Sequence, residues 1–78
     1  MKLKESVRLI LLKMKWDFED YEKDGIKYLA KGEVDTVLIN VETKEITHMG
    51  LNFGMYGATI TMFRSLNMLD VKLNDSQR

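Results

Sequence analysis

Between Val34 and Ile60 the chain carries two short runs of alternating apolar and polar residues with a polar break between them. No other feature constrains the fold as much. Thr36 to Val41 is dense in β-branched and aliphatic residues, which suit a pleated, half-buried surface. Val37, Ile39 and Val41 share one face, and Leu38, Asn40 and Glu42 the other. Glu42-Thr43-Lys44-Glu45 breaks the pattern, and Ile46 to Phe53 resumes it. There Thr47, Met49, Leu51 and Phe53 alternate with Ile46, His48, Gly50 and Asn52. The two runs predict a β-hairpin, with no Asn-Gly or Asp-Gly to fix its turn type. Gly50 inside the second run points to a bulge or a close backbone approach.

Gly54-Met55-Tyr56-Gly57 closes this region and opens the next element. It reads as a strand-to-helix turn in which glycine supplies backbone angles that other residues avoid. The spacing of Gly50, Gly54, Gly57 and Ile60 also resembles the G-x-x-x-G-x-x-G-x-x-I core of KH RNA-binding domains. Phe63 and Val71 fall where that family has its next apolar helix position and its following strand. The resemblance covers about residues 50 to 73 and implies a loop, Gly54 to Gly57, that clamps nucleic-acid backbone between two helices. Met55 and Tyr56 stand where the family usually carries a basic residue. The pattern also asks for a helix over Thr43 to Met49, where the alternation predicts a strand.

Leu3 to about Lys23 predicts a helix, from Leu3, Val7, Ile10, Met14, Phe18 and Tyr21 at steps of three and four, with Leu11 widening the stripe. Asp24-Gly25 is its expected stop. Its charges oppose the helix dipole. Lys2, Lys4, Arg8, Lys13 and Lys15 crowd the first part, and Asp17, Glu19, Asp20, Glu22 and Asp24 the last. Two copies packed antiparallel would set the basic half of each against the acidic half of the other. In that arrangement Leu9 and Leu12 flank the apolar contact, and Lys13, Asp17 and Asp20 supply complementary charge. The alternative is that the stripe packs on the chain's own sheet and the charges are solvated. Trp16 lies off the stripe, and if exposed would anchor a partner.

Gly25 to Glu33 admits two readings, an edge strand guarded by lysines or a last helical turn capped by Gly32, and residue type leans to helix. Ala58 to Leu69 predicts a second helix, with Thr59, Met62, Phe63, Leu66 and Leu69 on one face. Asp70 to Leu73 adds a short strand or trails off, and residues 74–78 read as a frayed tail. The expected fold is a single small α+β domain: N-terminal amphipathic helix, β-hairpin or three-stranded antiparallel sheet, C-terminal helix, with the helices on one sheet face.

The composition bears mainly on function. Of 78 residues none is cysteine and one is histidine, so disulfides and a zinc cluster are not expected. Twelve basic and twelve acidic side chains cancel, which argues against a nucleic-acid binder and mildly favours self-association. No signal peptide or membrane-length apolar run is present, so a cytoplasmic protein is expected. His48 has no recognisable catalytic companions, the serines sit in no nucleophile motif, and no phosphate-binding loop occurs. Neither enzymatic activity nor a cofactor is expected. Met49, Phe53, Met55 and Tyr56 cluster around the Gly-rich turn and, if exposed, would form an adaptable partner patch; packing in the core is the other reading. The expectation is a small interaction module, a regulator, adaptor or inhibitor that binds a larger protein or itself. A phage or mobile-element origin fits the size.

Overall fold

The computed structural model describes residues 1–33, 35–50 and 54–70. Helix α1 (Leu9–Trp16) is followed by strands β1 (Glu19–Lys23), β2 (Ile26–Lys31), β3 (Thr36–Asn40) and β4 (Ile46–Met49), then helix α2 (Gly54–Ser65). The strands form one antiparallel sheet in chain order, so each neighbour is reached by a short turn. The architecture is the expected α+β arrangement, with α1 before the sheet and α2 after it.

The β3–β4 hairpin forms as the alternation predicts. Ile39 pairs with Ile46 and Val37 with His48, which sets Val37, Ile39 and Ile46 together on the buried face. Asn40 supplies what the missing Asn-Gly does not. Its Oδ1 accepts hydrogen bonds from the backbone N–H groups of Glu42 and Thr43, both at 2.9 Å, and Lys44 takes φ +64° to complete the turn. Strand β4 ends at Met49, and Gly50 comes next with φ +137°. Residues 51–53, the rest of the alternating run, lie outside the described residues.

The N-terminal helix is much shorter than Leu3 to Lys23. Asp17 enters the left-handed region at φ 57°, and the Phe18 N–H reaches back to the Lys13 carbonyl, which ends α1. The chain then continues as strand. Asp24 (φ 54°) and Gly25 (φ 78°) form the two-residue turn of a β1–β2 hairpin, in which Lys23 pairs with Ile26 and Tyr21 with Tyr28. Gly25 to Glu33 therefore supplies β2, correcting the lean to helix. Because β2 pairs on both sides, it is an interior strand and not an edge.

Leu3 belongs to an extended segment. The Leu3 N–H donates to the Lys44 carbonyl and the Ile46 N–H to the Met1 carbonyl, while the Lys4 N–H donates to Met68 and the Asp70 N–H to Lys2. The segment is stitched between the start of β4 and the chain beyond α2. Helix α2 starts and ends four residues earlier than expected, with Asn67 (φ 57°) after its last turn. Its buried residues are Thr59, Ile60 and Phe63, while Met62 and Leu66 are exposed. The 74–78 tail and the Val71 position lie outside the described residues.

Leu3, Leu12, Phe18, Leu29, Val37, Ile39, Ile46, Ile60, Phe63 and Leu69 make up the core, between the helices and one sheet face. Burying each such side chain contributes about 1.5–3 kcal/mol.

Candidate interaction surface

Six of the eight residues of α1 are apolar, so the helix has more apolar circumference than one sheet face can cover. Leu12 is buried, with Leu9 and Trp16 partly buried beside it against the core. At about 100° per residue these three share one side of the helix. Ile10, Leu11 and Met14 share the opposite side and are 70%, 58% and 77% exposed. The predicted stripe and its flank have changed places. Ile10 and Met14, expected either between two copies or against the chain's own sheet, face solvent, and Leu12, expected to flank a contact between copies, is in the core. Arg8, Lys13 and Lys15 border the exposed side with positive charge.

An open groove of about 610 Å³ runs alongside α1, between Leu9 and Ile10 on the helix and Leu29 and Val41 on the sheet. Lys13 closes one end by pairing with Asp20 of β1 at 2.7 Å. That pair is exposed, so it contributes at most about 1 kcal/mol. It places within one chain the charges expected to meet across two copies. Asp17, the remaining residue of that set, caps α1 and is exposed.

Trp16 is half-buried and not an exposed anchor. Its ring meets Phe63 at 5.3 Å between centroids, and Lys15 Nζ lies 5.1 Å from its centroid. Met49 and Tyr56 do not form one patch. Met49 pairs with Thr36 on the sheet's outer face, whereas Tyr56 packs near His48 on the helix side, ring centroids 6.0 Å apart. Strand alternation separates them. Met55 is exposed at the first turn of α2, and Phe53 lies outside the described residues. Gly54 and Gly57 both belong to the first turn of α2 and not to a loop, and the segment the KH pattern requires as a helix contains β4.

Two features were missed in the sequence. Tyr21 and Tyr28 face each other across β1 and β2 on the outer sheet face, ring centroids 6.0 Å apart. Alternation in Glu19–Lys23, joined to Asp24-Gly25, was the available signal. The exposed Ile10–Leu11–Met14 side carried a signal too, in the excess of apolar residues around α1.

Among the described residues no three His, Asp or Glu side chains are grouped to hold a metal ion, and no helix is long and apolar enough to cross a membrane. Comparison with protein-family models, curated proteins and solved structures gave no match.

Proposed function

We propose that the chain is a non-catalytic protein-interaction module of the regulator, adaptor or inhibitor kind, docking through the exposed side of α1. One observation carries this reading: Ile10, Leu11 and Met14 stand together in solvent on a helix whose other side is already used by the core. Contiguous exposed aliphatic side chains of this kind mark binding surfaces, and methionine adapts to a partner's shape. The bordering cations Arg8 and Lys15 favour a surface with acidic groups around an apolar centre.

Affinity capture with the wild-type chain and an Ile10→Lys/Met14→Lys variant, each with and without nuclease, tests it. Both substitutions point into solvent, so the variant keeps the wild-type circular dichroism. The expected result is a stoichiometric protein, or further copies of the chain, held by the wild type, resistant to nuclease and lost from the variant. Equal retention by both forms, or retention of RNA alone, overturns the reading.

A further inference from the structure

We infer that the free edge of β1 takes up a lysine- or arginine-rich extended segment of a partner protein as a further antiparallel strand of the sheet. This surface is separate from the exposed side of α1, so the inference goes beyond the docking proposed there and does not depend on it.

The backbone geometry leaves the edge available. The Lys27 carbonyl accepts a hydrogen bond from the Val41 N–H at 3.0 Å, so Lys27 faces β3 and its neighbour Tyr28 faces β1. Tyr21, paired with Tyr28, therefore turns its own N–H and C=O toward β2. Asp20 and Glu22 aim theirs outward, at the side of β1 with no neighbouring strand. A strand laid alongside finds both N–H groups and both carbonyls ready to pair. The opposite edge of the sheet is different, because Met1–Lys4 closes it beside Lys44–Ile46.

The charge of the edge says which strand fits. Residues 17–24 hold Asp17, Glu19, Asp20, Glu22 and Asp24 against Lys23 alone. The acids of β1 are all exposed. Lys13 pairs with Asp20 at 2.7 Å, but Asp17, Glu19, Glu22 and Asp24 form no ion pair among the described residues. Lys27 stands across from Glu22 on β2 without pairing with it. Even with Lys13 and Lys27 counted beside Lys23, acids outnumber cations here.

Charge along an edge strand discourages indiscriminate pairing, and here it does so selectively. Two copies of β1 in antiparallel register about Tyr21 would bring Asp20 against Glu22 twice. Registers centred on Asp20 or on Glu22 bring identical carboxylates together, so the edge refuses its own copy. A segment with basic residues two apart meets no such penalty, because each base stands directly opposite an acid, Asp20 or Glu22. Those bases lie on the helix side, beside the groove that Ile10 and Lys27 help to line. The residue between them lies on the outer face next to Tyr21, where an aliphatic or aromatic side chain extends the Tyr21–Tyr28 contact. The strand that fits is therefore basic, apolar, basic in alternation. Backbone pairing supplies its affinity and the alternate side chains its selectivity.

The test uses the full chain at low salt with a short capped peptide alternating lysine with valine. One control peptide carries glutamate in place of lysine. A second has its lysine backbone nitrogens methylated, which keeps the charge and removes the N–H groups that would pair with β1. Amide hydrogen exchange, followed residue by residue by NMR, is the readout. The lysine peptide is expected to slow exchange at Asp20 and Glu22 about tenfold or more and to leave Tyr21, already bonded to β2, unchanged. Neither control peptide should do so. Glu19→Gln/Glu22→Gln should weaken the lysine peptide roughly tenfold. Met14→Lys, on the exposed side of α1, should leave it bound, which separates the two surfaces. Absence of protection at millimolar lysine peptide overturns the inference. Equal binding of the methylated peptide also overturns it, since charge alone would then be the attraction. So does a peptide lost on Met14→Lys but indifferent to Glu19→Gln/Glu22→Gln, which would place it on α1 and leave the docking proposal standing.

Discussion

The rings of Trp16 and Phe63 meet at 81° with centroids 5.3 Å apart. This contact ties the last residue of α1 to the fully buried Phe63 in the last turn of α2. Trp16→Ala should cost about 2–4 kcal/mol, the range for truncating a large aromatic that is only partly exposed. Urea denaturation monitored by circular dichroism reads it. A loss below 1 kcal/mol (about one small contact) would mean that Leu12 and Leu9 hold α1 without Trp16.

Gly32 and Gly57 should respond oppositely to alanine. Gly32 has φ +108°, and a Cβ there would collide with the Asp35 carbonyl oxygen. Gly32→Ala should therefore destabilise the fold by more than about 2 kcal/mol. Gly57 lies inside α2 with nothing within 4 Å of an added Cβ. Gly57→Ala should raise stability by up to about 1 kcal/mol. Thermal unfolding of the two variants side by side gives both signs.

Glu5 connects stability to pH. Its carboxylate pKa lies below the ordinary value, first because of its hydrogen bond with Lys2 and then because of Lys44, whose Nζ is 3.3 Å away. A carboxyl with a lowered folded pKa stabilises the fold above its unfolded pKa, and that contribution disappears as pH falls through the folded value. Within that window the unfolded chain binds more protons, so stability falls with acidification. Glu5→Gln should flatten the corresponding part of the Tm profile below about pH 4.3. The effect is small because Glu5 is fully exposed.

Both helices end on a non-glycine residue in the left-handed region, Asp17 and Asn67, each with φ 57°. After each, the next N–H reaches back five residues, Phe18 to Lys13 at 3.2 Å and Met68 to Phe63 at 2.9 Å. Asp17→Gly should stabilise by about 0.5–1 kcal/mol, since glycine adopts this conformation without a Cβ penalty. Asn67→Gly should gain less, because asparagine already tolerates the geometry. Chemical denaturation with an unchanged m-value is the appropriate measurement.

The β3–β4 hairpin was legible because Val37, Ile39 and Ile46 obey a period of two and bury the face that period selects. The β1–β2 hairpin carried a stronger turn, Asp24-Gly25, yet resembled the tail of a helix. Phe18 and Tyr21 happen to continue the spacing of Ile10 and Met14, and charged Glu19, Asp20 and Glu22 conceal the alternation. Steps of three and four select a helix face only when the opposite face is polar. In α1 it is not, since Leu9, Leu12 and Trp16 form a second stripe. Which of the two went inside was decided by tertiary packing against Phe18 and Phe63, and no local pattern carries that information. The apolar residues of the candidate surface were therefore visible, but not which side of α1 would enter the core.

The stitch at Met1–Lys4 has a consequence for the order of assembly. Each hairpin of the sheet joins residues close in the chain and can close early, while Leu3 bridges to Leu69 across nearly the whole sequence. Synthesis proceeds from the N-terminus, so Met1–Lys4 is made before its partners and must remain unpaired until both β4 and the Met68–Asp70 stretch beyond α2 have emerged. Its two rows of hydrogen bonds then act as a latch, closing over a sheet that is already assembled.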